Sequence, residues 1–341
     1  MAGAVKLEEF EMQKRHSHFS SLLCGMSANA RALAGTLAAS ALCALLAVTP
    51  AAAHHVTDAS GRRVEVRDTA HIVSIGSAVT EILFALGVGE RVVAVDQTSV
   101  YPEAARKLPN VGYMRALSPE GVLSKTPSVI IASEGSGPRE AIEVLSHSSV
   151  PVVLIPDGHS PDAIVRKIEM VADAVGIPEK GQELANAVRS DFRQLAHEIA
   201  TLKHHPRAVF VLSTAGGAPI VGGAGTSADA MFHLAGLENA VAGVKGYKPA
   251  SEEVLLTAQP DVIVVMSGGG QPLPPETIFA IPAFRNSPAA KHKRLITLPG
   301  SYLLGFGPRT PEAALDLALA ARANAKLAPL PVHSWSSEPN P

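Results

Sequence analysis

The chain has 341 residues, 47% of them hydrophobic and only 4% aromatic, and a net charge of -2 at pH 7. That length holds two domains of ordinary size with a sizeable core. Its Lys and Arg residues are scattered and show none of the basic excess or striping that a nucleic-acid partner requires.

The first segment reads as an export signal. Residues 32–48 form an apolar, Ala- and Leu-rich stretch behind Arg31, followed by Thr49-Pro50-Ala51-Ala52-Ala53. Small residues at 51 and 53 fit an A-x-A cleavage site, and the apolar stretch is short for a membrane span. Residues 1–53 are therefore expected to be a signal peptide with an extended N-terminal region, leaving a soluble periplasmic protein. Both cysteines, Cys24 and Cys43, precede the cleavage point. The mature chain then has no disulfide, thiolate metal site or cysteine nucleophile.

After Ala53, short β-branched runs alternate with amphipathic segments. Strands are expected at 71–75, 91–95, 129–132 and 152–155, and helices at 79–86 and 118–124, the second capped by Ser118. Runs that are apolar throughout suit a parallel sheet covered on both faces. The second half repeats this order. With Pro127 set on Pro260, Ser118 falls on Ser251, Glu120 on Glu253, Leu123 on Leu256 and Val129 on Val262. Likewise the segment from Gly76 to Gly87 matches that from Gly225 to Gly236. Between the halves, Leu184, Val188, Phe192, Leu195 and Ile199 recur at helical spacing, a helix of about 23 residues and about 35 Å. The expected fold is α/β: two Rossmann-like lobes, 54–178 and 205–327, joined by one long helix over 179–204, with a cleft between them. The Pro- and Ser-rich stretch 328–341 is expected to be a disordered tail.

Enzymatic readings lack a constellation. Gly223-Ala224-Gly225-Thr226-Ser227-Ala228 fits a dinucleotide-binding turn formally, but Lys245 to Tyr247 stand where a ribose-binding acid should follow. No G-x-S-x-G elbow, H-E-x-x-H or C-x-x-C occurs. Loops at strand carboxyl ends, where open α/β sheets bind ligands, carry more information. They include Asp96-Gln97-Thr98-Ser99-Val100-Tyr101-Pro102, the Gly- and Ser-rich loops 133–137 and 267–270, Asp157-Gly158-His159-Ser160, and 301–309. Arg115 and Arg309 are the charged candidates nearby, set against surface ion pairing as the plain alternative.

At these residues the sequence resembles the periplasmic haem-binding proteins of bacterial haem-importing ABC transporters. The resemblance covers the chain after the signal. It rests on Ile72-Val73-Ser74-Ile75-Gly76 with Thr80-Glu81-Ile82-Leu83, on Thr98-Ser99-Val100-Tyr101-Pro102, on Val111-Gly112-Tyr113-Met114-Arg115-Ala116-Leu117-Ser118, and on Leu303-Leu304-Gly305-Phe306-Gly307-Pro308-Arg309-Thr310. The first block is shared with vitamin B12- and siderophore-binding relatives. The resemblance implies a binding protein, not an enzyme, that carries haem as transported ligand to an inner-membrane ABC permease with its ATPase. An outer-membrane haem receptor system is the further partner it brings in. It makes Tyr101 the ligand of Fe(III), and leaves His159 a candidate for a second haem by position; at least one of Arg115 and Arg309 is expected to meet the haem propionates, since guanidinium pairs well with carboxylates. It also implies an acid on the first helix of each lobe that docks to the permease, here Glu81 and Asp229. A basic residue from the second lobe beside the tyrosine, present in some members, is not found in Met266-Ser267-Gly268-Gly269-Gly270. The alternatives are the same fold carrying a corrinoid or ferric siderophore, or an exported dinucleotide-dependent oxidoreductase.

The leader yields the first prediction. N-terminal sequencing of the exported protein should begin at His54; a product that retains residues 32–48 would overturn the cleavage assignment.

Overall fold

The computed structural model describes residues 53–268 and 272–338. The expected signal segment and its cysteines, and Gly269 and Gly270 of the second-lobe loop, lie outside the described residues. A short antiparallel hairpin, β1 (His54–Thr57) and β2 (Arg63–Val66), precedes the first lobe. That lobe is a parallel sheet of β3 (Ile72–Ile75), β4 (Val92–Val95), β5 (Val129–Ser133) and β6 (Val152–Ile155) in the order β4-β3-β5-β6. Every residue of β3 and β5 is buried. The two central strands are thus covered on both faces, which is why their sequences are apolar without alternation. The layers above and below come from α1 (Ser77–Ala85), α2 (Glu103–Arg106), α3 (Pro119–Leu123), α4 (Arg139–Ser146) and α5 (Pro161–Ala174).

The long α6 (Pro178–Ala200) follows. Proline at its first position is compatible with helix initiation because that N–H has no intrahelical partner. Leu184, Ala185, Val188, Phe192 and Leu195 form its buried stripe. They join the main hydrophobic core, which also takes in Ile82 and Ile168 from the first lobe and Phe232 and Leu317 from the second. One core therefore runs through the connecting helix into both lobes.

The second lobe has β7 (Arg207–Ser213), β8 (Ile220–Gly222), β9 (Glu238–Asn239), β10 (Tyr247–Pro249), β11 (Val262–Ser267) and β12 (Leu295–Pro299). Its sheet order is β10-β8-β7-β11-β12, with β9 beside β7. β7, β11 and β12 run parallel, whereas β8 and β10 add an antiparallel edge. Helices α7 (Ser227–Leu234), α8 (Glu252–Ala258), α9 (Gly300–Leu304) and α10 (Thr310–Ala320) complete the lobe, with three short helices between 275 and 291. The internal repeat is visible in the caps. The Ser118 hydroxyl accepts from the Gly121 N–H at the start of α3, and Ser251 accepts from the Val254 N–H at the start of α8. Each helix then leads into a central strand of its sheet, β5 and β11.

The lobes meet directly at the loop 305–309. The Arg309 guanidinium donates to Glu81 Oε2 at 2.9 Å, and the Arg309 N–H donates to Glu81 Oε1 at 2.9 Å. Both residues are buried, Arg309 at 2% and Glu81 at 6% exposure. Lys167 of α5, also buried, donates to the carbonyl of Phe306 at 3.2 Å. Phe306 itself adopts a left-handed backbone (φ 54), a conformation that costs a non-glycine residue energy and persists only where its surroundings enforce it.

The tail expected to be disordered is instead folded against the molecule over 328–338. Leu330 is buried, and Gln194 Nε2 on α6 donates to the Pro329 carbonyl at 2.9 Å. A Pro- and Ser-rich composition argued for disorder; two large apolar side chains, Leu330 and Trp335, packing on the main core are enough to override it.

The buried pair yields a stability prediction. Glu81→Ala leaves Arg309 in the interior without its carboxylate and should cost about 3–5 kcal/mol in urea unfolding. The double replacement Glu81→Leu, Arg309→Met removes both charges and should cost far less than the two single changes combined.

Candidate functional site

In a sheet ordered β4-β3-β5-β6, the chain leaves β3 for opposite sides in turn, so the crevice above the carboxyl ends of β3 and β5 is the topological switch point. Three loops surround it. The turn after β3 needs Gly76, which has φ 106 and lies so close to Ser133 that an added Cβ would meet that side chain. Its N–H donates to Asp96 Oδ1 at 2.8 Å.

The loop after β4 is built on that same Asp96, which is 1% exposed. Asp96 accepts from the Thr98 N–H and hydroxyl at 2.8 and 2.7 Å and from the Ser99 hydroxyl at 2.6 Å. Ser99 continues through Thr80 to Ser74 by two further 2.7 Å contacts. The Thr-Ser part of the T-S-x-Y-P motif is thus a structural brace for a buried carboxylate.

Tyr101 follows on the same loop, at the carboxyl end of β4. Its side chain is 3% exposed and lies beside Phe84 and Ala85 near the end of α1. The Arg309 guanidinium sits 3.2 Å above the ring centroid, and the hydroxyl donates to the carbonyl of Trp335 at 2.9 Å. Burial raises the phenol above its ordinary range, and the nearby Arg309 charge does not reverse this. In this arrangement the segment around Trp335 covers the hydroxyl and takes its hydrogen bond.

Arg309 lies inside the lobe junction with Glu81, between Tyr101 and the ring of Tyr302 at 5.1 Å. Glu81 is the other half of that buried pair. Asp229 is half-buried, accepting from the Gly225 N–H at 3.0 Å and from Asn239 Nδ2 at 2.8 Å. That carboxylate also occupies the Gly225 N–H of the G-x-G-x-x-A turn, a donor that a pyrophosphate would require.

The third loop, 110–118, holds what the sequence reading passed over. Gly112 has φ 98, and its carbonyl accepts from the Gln97 N–H at 2.8 Å. The carbonyl of Met114 accepts from the Gly137 N–H at 2.8 Å, and the Leu117 N–H donates to the Gly137 carbonyl at 2.8 Å. The loop is therefore clamped onto the turn after β5, beside the switch point. Between these anchors Tyr113 stands 44% exposed, and Arg115 is exposed two residues on. The signal was present in the sequence: a tyrosine directly after a glycine and two residues before an arginine.

His159, after β6, is half-buried with its ring edge-on to Phe306 at 4.7 Å. Burial holds its pKa below the ordinary histidine value, partly offset by Asp157. In the second lobe the repeat offset places Lys248 against Arg115, and Lys248 is exposed on β10. Tyr247 beside it has its oxygen tied to the Ser227 hydroxyl at 2.7 Å and accepts from the Ala228 N–H at 3.3 Å. Of Tyr113 and Tyr247, Tyr113 is the more exposed. No group of three or more His, Cys, Asp or Glu among the described residues could hold a metal ion, and no described helix is long and apolar enough to cross a membrane.

Comparison with known proteins agrees with this architecture. The chain is similar to the apo form of the periplasmic heme-binding protein RhuT from Roseiflexus sp. RS-1, with 38% identity and a TM-score of 0.72 over 76% of this chain and 100% of that one. It is similar to the periplasmic heme-binding protein BhuT in complex with two hemes, with 36% identity and a TM-score of 0.70 over 74% and 97% of the two chains. Among curated sequences it is 27% identical over 267 residues to an ABC transporter substrate-binding lipoprotein, YvrC, of Bacillus subtilis, covering 77% of this chain and 83% of the relative. It is 29% identical over 196 residues to a vitamin B12-binding protein of Yersinia pestis, covering 57% and 68%. A family model described as periplasmic binding protein matches residues 72–302. The chain, two α/β lobes on a connecting helix with a crevice above the sheet ends, belongs to the periplasmic binding protein family.

Proposed function

We propose that this protein captures haem outside the inner membrane and delivers it to an ABC permease, with Tyr113 as the iron ligand. The observation that carries the reading is the exposed Tyr113 and Arg115 pair on the loop clamped to the switch point. The likeness to haem-binding structures over nearly their whole length supports the same ligand class. Phenolate is a hard anionic ligand suited to ferric iron. Arg115, and Lys248 from the other lobe, supply positive charge for the propionates; a guanidinium pairs with a carboxylate in two parallel hydrogen bonds. His159, whose charged form is disfavoured by burial, has an imidazole suited to a second iron.

Hemin titration followed by absorption spectroscopy tests the assignment. Tyr113→Phe keeps the ring and removes the oxygen; the phenolate signature should vanish and Kd rise at least about tenfold, equal to about 1.4 kcal/mol. Tyr101→Phe should leave both within about twofold. The reverse pattern restores Tyr101 as the ligand. The vitamin B12-binding relative favours one other cargo, and a corrinoid that displaces hemin or binds more tightly would replace haem in this reading.

Delivery needs both lobes presented to a permease, and the internal repeat supplies a matched pair of acids. Glu120 and Glu253 fall on each other in the repeat, and both are exposed in the first turns of α3 and α8. A helix that leads into a parallel strand starts at the carboxyl edge of the sheet, so both acids flank the crevice on its open side. Exposed charges of this kind steer orientation and association rate. The double variant Glu120→Lys, Glu253→Lys should bind haem normally and fail to drive uptake into vesicles carrying the permease. Normal uptake would refute the docking assignment.

A further inference from the structure

The segment 328–338 leaves the second lobe after α10 and crosses α6 through three successive anchors. The Ala328 N–H donates to Glu198 Oε2 at 2.8 Å, Gln194 Nε2 donates to the Pro329 carbonyl at 2.9 Å, and His333 Nε2 lies 2.8 Å from Asp191 Oδ2. Residues 191, 194 and 198 are three and four apart, so they share one face of the helix. The segment therefore runs along α6 for two turns, with Leu330 buried beneath it.

It then reaches the first lobe. His333 stacks on Trp335 at 4.1 Å with the planes 7° apart. The carbonyl of Trp335 takes the Tyr101 hydroxyl, and the carboxylate of Glu338 accepts from the Glu103 N–H at 2.9 Å, at the start of α2. The Tyr101 ring in turn covers Arg309, the residue that joins the two lobes. A single short segment thus touches the second lobe at its origin, the connecting helix along two turns, and the first lobe at its end.

We infer that residues 328–338 form a detachable strap that limits the angle between the lobes. Without it, the described contacts that hold the first lobe against the second are α6 with its core and the loop 305–309. The strap holds through a handful of hydrogen bonds, several at exposed groups, and two apolar side chains, Leu330 and Trp335. Segments with so few buried contacts open at far lower free energy than the core around them. Release of the strap uncovers Tyr101 and frees the first lobe to swing about the carboxyl end of α6. The inference does not depend on which ligand the crevice takes.

Spin labels at Glu140→Cys on α4 and Glu276→Cys in the second lobe, both exposed positions, measure the interlobe distance with Cys24 and Cys43 replaced by serine. The parent should give one narrow distribution. His333→Ala, Trp335→Ala and, separately, deletion of 328–341 should broaden it about twofold, as expected for release of a hinge constraint. Circular dichroism establishes that each variant is folded. Should the deletion fail to fold, the double alanine variant carries the test alone. An unchanged distribution in a folded variant would overturn the strap.

Discussion

The geometry of this molecule depends on one buried ion pair. Glu81 belongs to the first helix of the first lobe, and Arg309 to the loop before the last helix of the second. They meet at 2.9 Å inside the junction, with the guanidinium between two tyrosine rings. Two charges at such low exposure contribute little net stability, because desolvation offsets much of their attraction. What they supply is register: the pair is best satisfied at one relative placement of the lobes, about which the strap limits the swing. Lys167, whose ammonium reaches the Phe306 carbonyl from α5, adds a second condition of the same kind. Burial lowers its pKa, and the nearby Asp157 and Glu81 carboxylates work in the opposite direction.

The crevice inherits its shape from that arrangement. The carboxyl ends of β3 and β5 face the second lobe at a separation set by α6 and the junction. The ligand-facing chemistry is carried by loops: Gly112 swings Tyr113 outward, while hydrogen bonds to Gly137 fix where it points from. Rigid sheets thus position a few side chains on short, well-anchored connections, the usual division between scaffold and site.

Local patterns revealed the fold well. Fully apolar runs gave the parallel strands, the spacing from Leu184 to Ile199 gave the connecting helix, and the two serine caps exposed the repeat. The site was less legible, for a physical reason. Whether Tyr101 faces a ligand or lies buried depends on Arg309 and Trp335, more than 200 positions away, and no local pattern records such contacts. The same holds for Glu81, whose place early in a helix suggested exposure. Tyr113 could have been found from its own surroundings, since a tyrosine after a glycine with φ above zero is displayed on a turn. The tail was misread because composition weighs many small polar residues equally, whereas packing turns on Leu330 and Trp335 alone.

The edge strand β10 has a consequence for how these molecules behave toward one another. It is three residues long and consists of Tyr247, Lys248 and Pro249, all exposed. An outer strand with open N–H and C=O groups invites another chain to pair with it. Here the strand is too short to template a ladder, the lysine makes burial of the edge costly, and the proline has no N–H to offer. Among the described residues the sheet therefore ends in a form that resists pairing with a second chain.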